Sequence, residues 1–233
     1  MKLIALFIKI ISKLLLQKEW QLLSKSLQKS YADYIKGCEY IPNLACKLLI
    51  SGEDHRFFKH GGFDIIAIFR AIWRNIVYKK REGGSTIEQQ IVRVLTGNFE
   101  RTIKRKVKEI MLATLITDSV PKYVLPGLYL YIAYYGWRMN GFLQACKRLR
   151  LEPNDLTLFE TASLVARLKY PEPKYPNPKR ITQIYRRSLH LINLYYKHSL
   201  NKTYLGLQDD PTILFINAST EYKSRLSATM RVY

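Results

Sequence analysis

Cysteine is scarce in this sequence, which argues against the kinds of site that depend on it. Only three cysteines occur among 233 residues. They form no CxxC pair and no Cys/His spacing typical of a zinc site, and an odd number does not suit a disulfide framework. We therefore expect Cys38, Cys46 and Cys146 to be ordinary buried or half-buried side chains. They do not indicate a cellular compartment.

Acidic residues are also few, and the resulting charge is the first informative property. The chain has 38 Lys and Arg against 18 Asp and Glu, a formal net charge of +20 at pH 7. A field of this sign attracts anionic partners: nucleic acid, anionic lipid headgroups or a phosphorylated substrate. Charge alone does not choose among them. Apolar residues make up 48%, which is enough for a packed core in one globular domain or two small lobes.

Strand signals are rare too, because alternating β-branched runs are nearly absent while helical spacing recurs along the chain. The predicted fold class is therefore mainly α, in one domain. Residues 65–78 place apolar side chains at i, i+3 and i+4 spacing, with Asp64 before them as a candidate cap. Pro126 and Gly127 predict a kink or break in their segment. Further helices are predicted at 86–95, 103–117, 156–169 and 181–198, and a mobile loop at 79–84.

The N-terminal segment has an apolar run that is too short for an ordinary membrane span. Residues 1–16 are strongly apolar but carry Lys2, Lys9 and Lys13, whereas a spanning helix needs about 20 largely apolar residues. No small-residue cleavage site follows, so a secretory signal peptide fits poorly. We predict a membrane-associating helix over 1–20 that lies in the headgroup region, with its lysines at the phosphates. A short signal-anchor and a soluble core helix are the alternatives.

The first segment dense in ionisable groups covers residues 53–64 and reads EDHRFFKHGGFD. Glu53 stands close to aromatic residues that could exclude water from it, which would make it a better general base near neutral pH. The alternative is a solvated acidic pair that caps a helix. His60 invites a metal-ligand interpretation, but a lone histidine beside two glycines is more often a hydrogen-bonded packing residue.

Two further segments combine glycines, hydroxyls and cations. Residues 83–90 read GGSTIEQQ; the glycines let backbone N–H groups approach a ligand, and a helix N-terminus favours phosphate. No lysine follows the glycines, so this is not a nucleotide P-loop, and a plain hinge into a helix is the alternative. Arg101, Arg105 and Glu109 recur every four residues, which predicts one cationic helix face that carries a carboxylate. A solvated basic helix is the alternative.

Taken in order and spacing, these segments resemble the peptidoglycan glycosyltransferase family (glycosyltransferase family 51). Three ordered matches are highly specific: EDxxFxxHxG at 53–62, GGSTIxQQ at 83–90 and RKxxE at 105–109. Weaker matches to the fourth and fifth motifs lie at 128–136 and 186–191. The length resembles the monofunctional biosynthetic transglycosylase type, with a glycosyltransferase domain expected at 40–200 and a C-terminal tail of unknown role at 201–233.

The resemblance implies a fold, a reaction and a location. The family has a lysozyme-like α fold with a smaller membrane-facing lobe, and it acts at the outer face of the bacterial cytoplasmic (inner) membrane. It polymerises lipid II with a growing polyprenyl-linked glycan chain, inverting the donor anomeric carbon and releasing polyprenyl pyrophosphate. Expected partners are these substrates, the anionic membrane surface and cell-wall synthesis proteins, and not nucleic acid. The family allows a divalent cation, Mg²⁺ or Mn²⁺, and no other cofactor is expected.

The resemblance also implies roles for individual residues. Glu53 is the expected general base, and Glu109 is expected to organise the neighbouring cations or to assist through a metal or proton. Arg93 and Arg101 match positions that grip the donor pyrophosphate, since arginine offers paired donors suited to phosphate oxygens. The expected substrate-binding residues are Asp54, Phe57, His60, Ser85, Thr86, Gln89, Gln90, Arg93, Arg101, Arg105 and Lys106. No metal ligand is assigned.

The fourth motif departs from the family pattern, which reads ILExYLN. Pro126 and Gly127 stand where Leu and Glu are expected, Tyr131 replaces the asparagine, and the residues that follow are also atypical. A catalytically impaired lipid- or glycan-binding homologue is therefore one alternative, and a lysozyme-like hydrolase is another. The cations argue against the hydrolase, because an uncharged glycosidic bond needs no pyrophosphate clamp. Nucleic-acid binding would suit the charge, but no recognised nucleic-acid motif supports it.

Overall fold

The computed structural model describes residues 2–36, 41–78, 83–201, 203–204 and 206–207. This part of the chain is mainly helical, as predicted, with one short antiparallel β hairpin formed by β1 (Tyr134–Gly136) and β2 (Met139–Asn140). Its helices are α1 Lys2–Leu15, α2 Gln17–Lys36, α3 Asn43–Glu53, α4 Ile65–Tyr78, α5 Ile87–Thr96, α6 Ile103–Ser119, α7 Leu125–Ile132, α8 Phe142–Leu149, α9 Leu158–Lys169 and α10 Pro178–Leu200.

Side-chain caps account for where several of the helices begin. The helix predicted at 65–78 is α4, and the backbone N–H of Ile66 donates to Asp64 Oδ1 at 3.0 Å, which confirms the predicted cap. Thr86, Thr102 and Asn177 cap three other helices by accepting a hydrogen bond from the backbone N–H three residues further on. The other predicted helices are found as α5, α6, α9 and α10, with ends shifted by no more than three residues.

The core lies where α3, α9 and α10 pack together and where α5 packs between α6 and α7. Helix α3 is at its centre, and Leu48, Leu49 and Ile50 are completely buried. At the end of α3, a Cβ atom on Gly52 would lie 2.2 Å from Leu191 Cδ2. Glycine at this position therefore allows α10 to approach the C-terminus of α3, where Glu53 lies.

The kink expected at Pro126 and Gly127 is wrong, because α7 runs unbroken through both residues. Pro126 lies in the first turn, where a backbone N–H would have no partner within the helix, so its absence costs nothing there. A Cβ atom on Gly127 would lie 2.3 Å from the hydroxyl oxygen of Tyr34, a buried residue of α2. This departure from the fourth motif therefore has a packing reason: the small residue makes room for a tyrosine.

The apolar face predicted on α4 is present, but much of it is exposed to solvent. Phe69, Trp73 and Ile76 lie at i, i+4 and i+7, and they are 68%, 66% and 73% exposed. An amphipathic pattern tells which residues share a face, and here that face is not part of the core of the described chain.

The N-terminal helix α1 packs against α6 instead of standing apart from the domain. Lys9 forms an ion pair with Asp118 at the end of α6, and Ser12 is fully buried. On its other side, Phe7 and Leu14 are 65% and 75% exposed. No helix among the described residues is long and apolar enough to cross a membrane.

Three expectations from the sequence fall partly or wholly outside the described residues. Cys38 and residues 79–82 of the expected mobile loop are not described, nor is most of the tail at 201–233. The other two cysteines, Cys46 and Cys146, are buried and free, as expected.

Candidate active site

Glu53 is the last residue of α3, and two other helices hold its carboxylate. Nη2 of Arg187 in α10 donates to Glu53 Oε1 at 2.9 Å and to the backbone oxygen of Gly52 at 2.9 Å. Nε2 of Gln90 in α5 donates to Glu53 Oε2 at 3.4 Å, which is a long and weak bond. The side chain is 22% exposed, so Oε2 is the oxygen best placed to accept a proton. An ion pair and an amide hydrogen bond hold Glu53, and the shielding by aromatic neighbours expected from the sequence stays a prediction.

Glu109 lies on α6 and is only 2% exposed, yet three cationic side chains surround it. Arg93 donates from Nε to Oε2 at 3.2 Å and from Nη2 to Oε1 at 3.0 Å, a bidentate arrangement. Lys106 Nζ donates to Oε1 at 2.9 Å, and Arg105 Nη1 donates to Oε2. Burial acts to raise the pKa of Glu109, but the Arg93 hydrogen bonds and the Lys106 charge outweigh it, and the pKa is lowered.

Helix α5 connects the two carboxylates. Gln90 reaches Glu53 and Arg93 reaches Glu109, and these two α5 residues are three apart in the sequence. Residues at i and i+3 are neighbours on a helix surface, with about 5–6 Å between their Cβ atoms. The two carboxylates therefore flank one face of the same helix, as a single site requires.

The glycine-rich segment supplies polar partners to the cluster around Glu109. Ser85 Oγ accepts from Lys106 Nζ at 2.7 Å and from Arg93 Nη2 at 3.4 Å. The side-chain oxygen of Gln89 also accepts from Lys106 Nζ. Burial lowers the pKa of Lys106, and the charges of the neighbouring arginines add to this effect against the opposing influence of Glu109. Two of the expected motifs therefore meet through hydrogen bonds, although Ser85 and Lys106 are 21 residues apart.

Asp54, His60 and Thr86 are buried and hold the first and second motifs together. His60 Nε2 lies 3.0 Å from both carboxylate oxygens of Asp54, and the backbone N–H of Ile87 donates to Asp54 Oδ2 at 3.2 Å. Thr86 donates its hydroxyl to the backbone oxygen of Gly62 at 2.7 Å. Burial raises the pKa of Asp54, with His60 opposing it. These contacts lie inside the protein, and a direct role in substrate binding for Asp54, His60 and Thr86 stays a prediction.

The structure does not place Arg101 on the same helix face as Arg105 and Glu109, so that expectation is wrong. The reason is that α6 begins at Ile103 with Thr102 as its cap, which leaves Arg101 in the loop before the helix. Its side chain is exposed, whereas Arg105 and Glu109 form an ion pair one turn apart. Arg101 could therefore reach a ligand outside the cluster, but it does not help to hold Glu109.

Comparison with known proteins supports the family resemblance that the motifs indicated. The Transglycosylase family model matches residues 20–194 of the 233-residue chain. The chain belongs to the transglycosylase family. It is 36% identical over 143 residues to penicillin-binding protein 1A of Neisseria lactamica, an alignment that covers 60% of this chain and 18% of that protein. It is 37% identical over 112 residues to a monofunctional glycosyltransferase of Staphylococcus epidermidis, covering 48% of this chain and 41% of that protein. The chain thus spans less than half the length of these relatives.

Three residues of this transglycosylase site have neighbours that sequence patterns did not reveal. Arg187 was matched only as part of the fifth motif, and nothing local predicts its ion pair with a residue 134 positions earlier. Glu88 is completely buried and pairs with Lys122, whose ammonium lies 4.0 Å from the centre of the Phe57 ring. The only local signal for this pair is a glutamate on the apolar side of a helix.

Two places in or near the site carry acidic side chains, and they differ in how well they suit a divalent cation: Glu109, and the cluster of Asp54, His60 and Glu88. Glu109 does not fit one, because both of its oxygens already accept from cationic side chains. Asp54, His60 and Glu88 bring three donor atoms within 4.8 Å of one another, and these are atom types that bind divalent cations. Lys122 is already paired with Glu88, however. In this arrangement, the ammonium group of Lys122 supplies the positive charge that a metal ion would bring.

Proposed function

We propose that this transglycosylase is a peptidoglycan glycosyltransferase that polymerises lipid II into glycan strands. The observation that carries the proposal is the pairing, across one face of α5, of a partly exposed carboxylate with a carboxylate-centred cluster of cations. A reaction that deprotonates a hydroxyl and expels a pyrophosphate needs both features: a base at one end and positive charge at the other. The names of the relatives support the same reaction class.

In the proposed reaction, Glu53 Oε2 takes the proton from the 4-hydroxyl group of the acceptor sugar. The hydroxyl oxygen then attacks the donor anomeric carbon from the face opposite the pyrophosphate, so the configuration inverts. Arg187 holds Oε1 of Glu53 and so fixes the direction of Oε2. Arg93 and Lys106 both bond to Oε1 of Glu109, which holds them side by side. Together they stabilise the negative charge that develops on the leaving pyrophosphate.

Two alternatives are disfavoured by particular observations. A lysozyme-like hydrolase would use two carboxylates on either side of the scissile bond, whereas Glu109 is buried beneath Arg93, Arg105 and Lys106. An impaired, binding-only homologue was suggested by the atypical fourth motif. Because α7 is regular and Gly127 accommodates Tyr34, that motif does not disrupt the helix beside the site.

The direct test of the proposed function is incubation of the purified chain with labelled lipid II, followed by separation of products by length. Polymer that a muramidase digests back to disaccharide units is the expected result. A chain that binds lipid II and forms no polymer would support the binding-only alternative. Shortening of pre-formed strands without new polymer would support the hydrolase.

We further propose that the chain acts at the outer face of the bacterial cytoplasmic membrane and contacts anionic lipid. The net charge of +20 favours such a surface. Exposed apolar side chains of α4 and α1 supply groups that can enter the interface, including Trp73 and Phe7 at 66% and 65% exposure. Because α1 packs against α6, this contact would be made by one side of the helix.

Replacing both Phe69 and Trp73 by serine should reduce sedimentation with anionic phospholipid vesicles by at least about tenfold. Each side chain contributes about 1.5–3 kcal/mol when fully removed from water, and partial insertion would supply part of that. The measurement is the bound fraction over a lipid titration at fixed salt. Leu200→Ser is the matched control, because this α10 residue is 86% exposed and lies outside the proposed face. Equal binding of the double variant and the parent would rule out α4 as a lipid contact.

Arg93→Ala and Arg101→Ala should each lower kcat/KM for lipid II by about 10- to 100-fold, as expected for the loss of one charge-assisted contact. The two should differ in stability. Arg93 bonds Glu109 and Ser85, so its loss should also lower the unfolding temperature, whereas the exposed Arg101 should leave that temperature unchanged. Lys104→Ala is the control, since Lys104 is an exposed cation on the first turn of α6. Parent-like rates for both arginine variants would refute the pyrophosphate assignment.

A further inference from the structure

The turn between β1 and β2 carries a cluster of cations that the proposed reaction does not use. The turn residues are Trp137 and Arg138. Three cationic side chains lie over the Trp137 ring: Arg138 at 4.5 Å, Arg148 of α8 at 4.7 Å and Lys174 at 5.8 Å from its centroid. Trp137 is half-buried, while Arg138 and Arg148 are exposed. We call these four residues the Trp137 platform.

The cations of the Trp137 platform have no acidic partner among the residues that the structure describes. Glu172 is an acidic residue beside this turn. Its backbone oxygen accepts from the N–H of Trp137, and its N–H donates to the backbone oxygen of Tyr135. Its carboxylate is already bound by Arg167 Nε at 2.7 Å. Positive charges held together without a counter-charge repel one another, and an anionic ligand relieves that repulsion. The indole ring explains how they can be held in one place, because cations are attracted to its face.

The backbone at Arg138 is the second observation that points to a ligand. Arg138 has φ of +58°, a left-handed conformation that glycine or asparagine adopts more easily than arginine. Nearby, Gly136 also has positive φ, and a Cβ atom there would lie 2.5 Å from the backbone of Glu172, so at that position glycine is required. At position 136, the neighbouring backbone leaves room only for glycine. At position 138, the chain has arginine although this backbone conformation is unfavourable for it. Strained residues of this kind concentrate at functional sites.

We propose that the Trp137 platform binds the carboxylate groups of an acidic glycopeptide polymer, namely the peptide stems of the strand that the proposed reaction makes. This rests on the proposed function. A guanidinium near the face of a ring still has N–H groups that can donate in pairs to a carboxylate. Three adjacent cations suit a ligand that presents several anionic groups in succession. The platform is carried by the hairpin, α8 and the segment before α10, whereas the exposed apolar residues proposed to contact lipid lie on α1 and α4. The hairpin and α8 pack against α7 and α9, whereas α1 packs against α2 and α6. The platform and the exposed side of α1 therefore lie on different parts of the fold, which favours a soluble polymer over a membrane surface as the ligand.

The test is a binding titration of the full chain with soluble, uncrosslinked glycan strands that carry intact peptide stems. Arg138→Gly and Arg148→Ala should each weaken binding by about three- to fivefold, the range of an exposed charge-assisted pair. Arg138→Gly should fold with a Tm at or above that of the parent, because glycine accepts positive φ, so a loss of affinity would not reflect unfolding. Lys29→Ala, which removes an exposed cation from α2, should bind as the parent does.

A second arm identifies the chemical group that is recognised. Strands whose carboxylates have been converted to methylamides should bind the parent at least as weakly as native strands bind either variant. Equal affinity of the parent for native and amidated strands would overturn the proposal. So would unchanged affinity of both variants, or a loss of vesicle binding without a loss of strand binding, which would assign the platform to lipid. The titration does not depend on polymerisation. If the chain binds strands through the platform but makes no polymer, the proposed function is refuted and the binding role of the platform is not.

Discussion

Replacing Glu53 by glutamine should abolish polymerisation of lipid II while binding of lipid II persists. Glutamine keeps the size of the side chain and can still accept a hydrogen bond from Arg187, but it cannot take a proton. We expect the rate to fall by at least about 100-fold, the usual contribution of a positioned general base. Because Glu53 is 22% exposed at the end of α3, the fold should tolerate the change. The measurement is initial rate against lipid II concentration, with a parallel binding titration.

The matched control for this variant is Glu152→Gln, which neutralises an exposed carboxylate outside the site and should leave the rate unchanged. Circular dichroism would verify that both proteins are folded. A folded Glu53→Gln protein that polymerises at nearly the parent rate would remove the general-base role. Loss of lipid II binding together with the rate would indicate that Glu53 contacts the substrate in its ground state.

Replacing Glu109 by glutamine should be equally severe for activity but should act by another route. Glu109 is 2% exposed and balances the charges of Arg93, Arg105 and Lys106. Glutamine offers one acceptor oxygen and places an N–H₂ group against cationic donors, so the three side chains should separate. We expect stability to fall by about 2–3 kcal/mol, as when a buried charged partner is lost. The polymerisation rate should fall by about 100-fold or more, because electrostatic stabilisation of the leaving group is lost.

Substrate affinity distinguishes this route from base catalysis. For Glu109→Gln, lipid II binding should weaken along with the rate, whereas Glu53→Gln should retain it. Glu109→Asp keeps the charge on a shorter side chain, so it should recover part of both the stability and the binding. Denaturant unfolding and a binding titration of the three proteins would measure these effects. Parent-like stability of Glu109→Gln would contradict the proposal that this carboxylate organises the cluster.

The ordered motifs and the helical spacing were enough to predict the family and the mainly α fold, and the catalytic roles of Glu53 and Glu109 stay predictions. Burial acts to raise the pKa of Glu109, but the hydrogen bonds from Arg93 and the charge of Lys106 outweigh it, and the pKa is lowered. Lys106 is a neighbour of Glu109 on one helix, where sequence spacing sets distance, whereas Arg93 reaches Glu109 from α5. The hydrogen-bond partners of Glu53 were not predicted, because they come from α5 and α10.

Two errors came from applying local rules without knowing where a helix begins. Proline was expected to interrupt its segment, but Pro126 occupies the first turn of α7, which tolerates it. Arg101 was placed on a helix face by four-residue spacing, but the cap at Thr102 starts α6 two residues after it. In both cases the type and spacing of the residues were recognised, but the first residue of the helix was not predicted. Helix ends depend on caps and on packing as well as on the residue pattern.

By itself, the sequence determined that α4, α5, α6, α9 and α10 are helices and which groups are available for acid–base and phosphate chemistry. These properties follow from the 3.6-residue period and from side-chain chemistry, both of which are local. Only the tertiary structure decided that Arg187 meets Glu53, that Gly127 faces Tyr34 and that the apolar face of α4 stays exposed. It also decided that three cations meet over Trp137. Such contacts join residues far apart in the chain, and they depend on how whole helices pack, which no local period records.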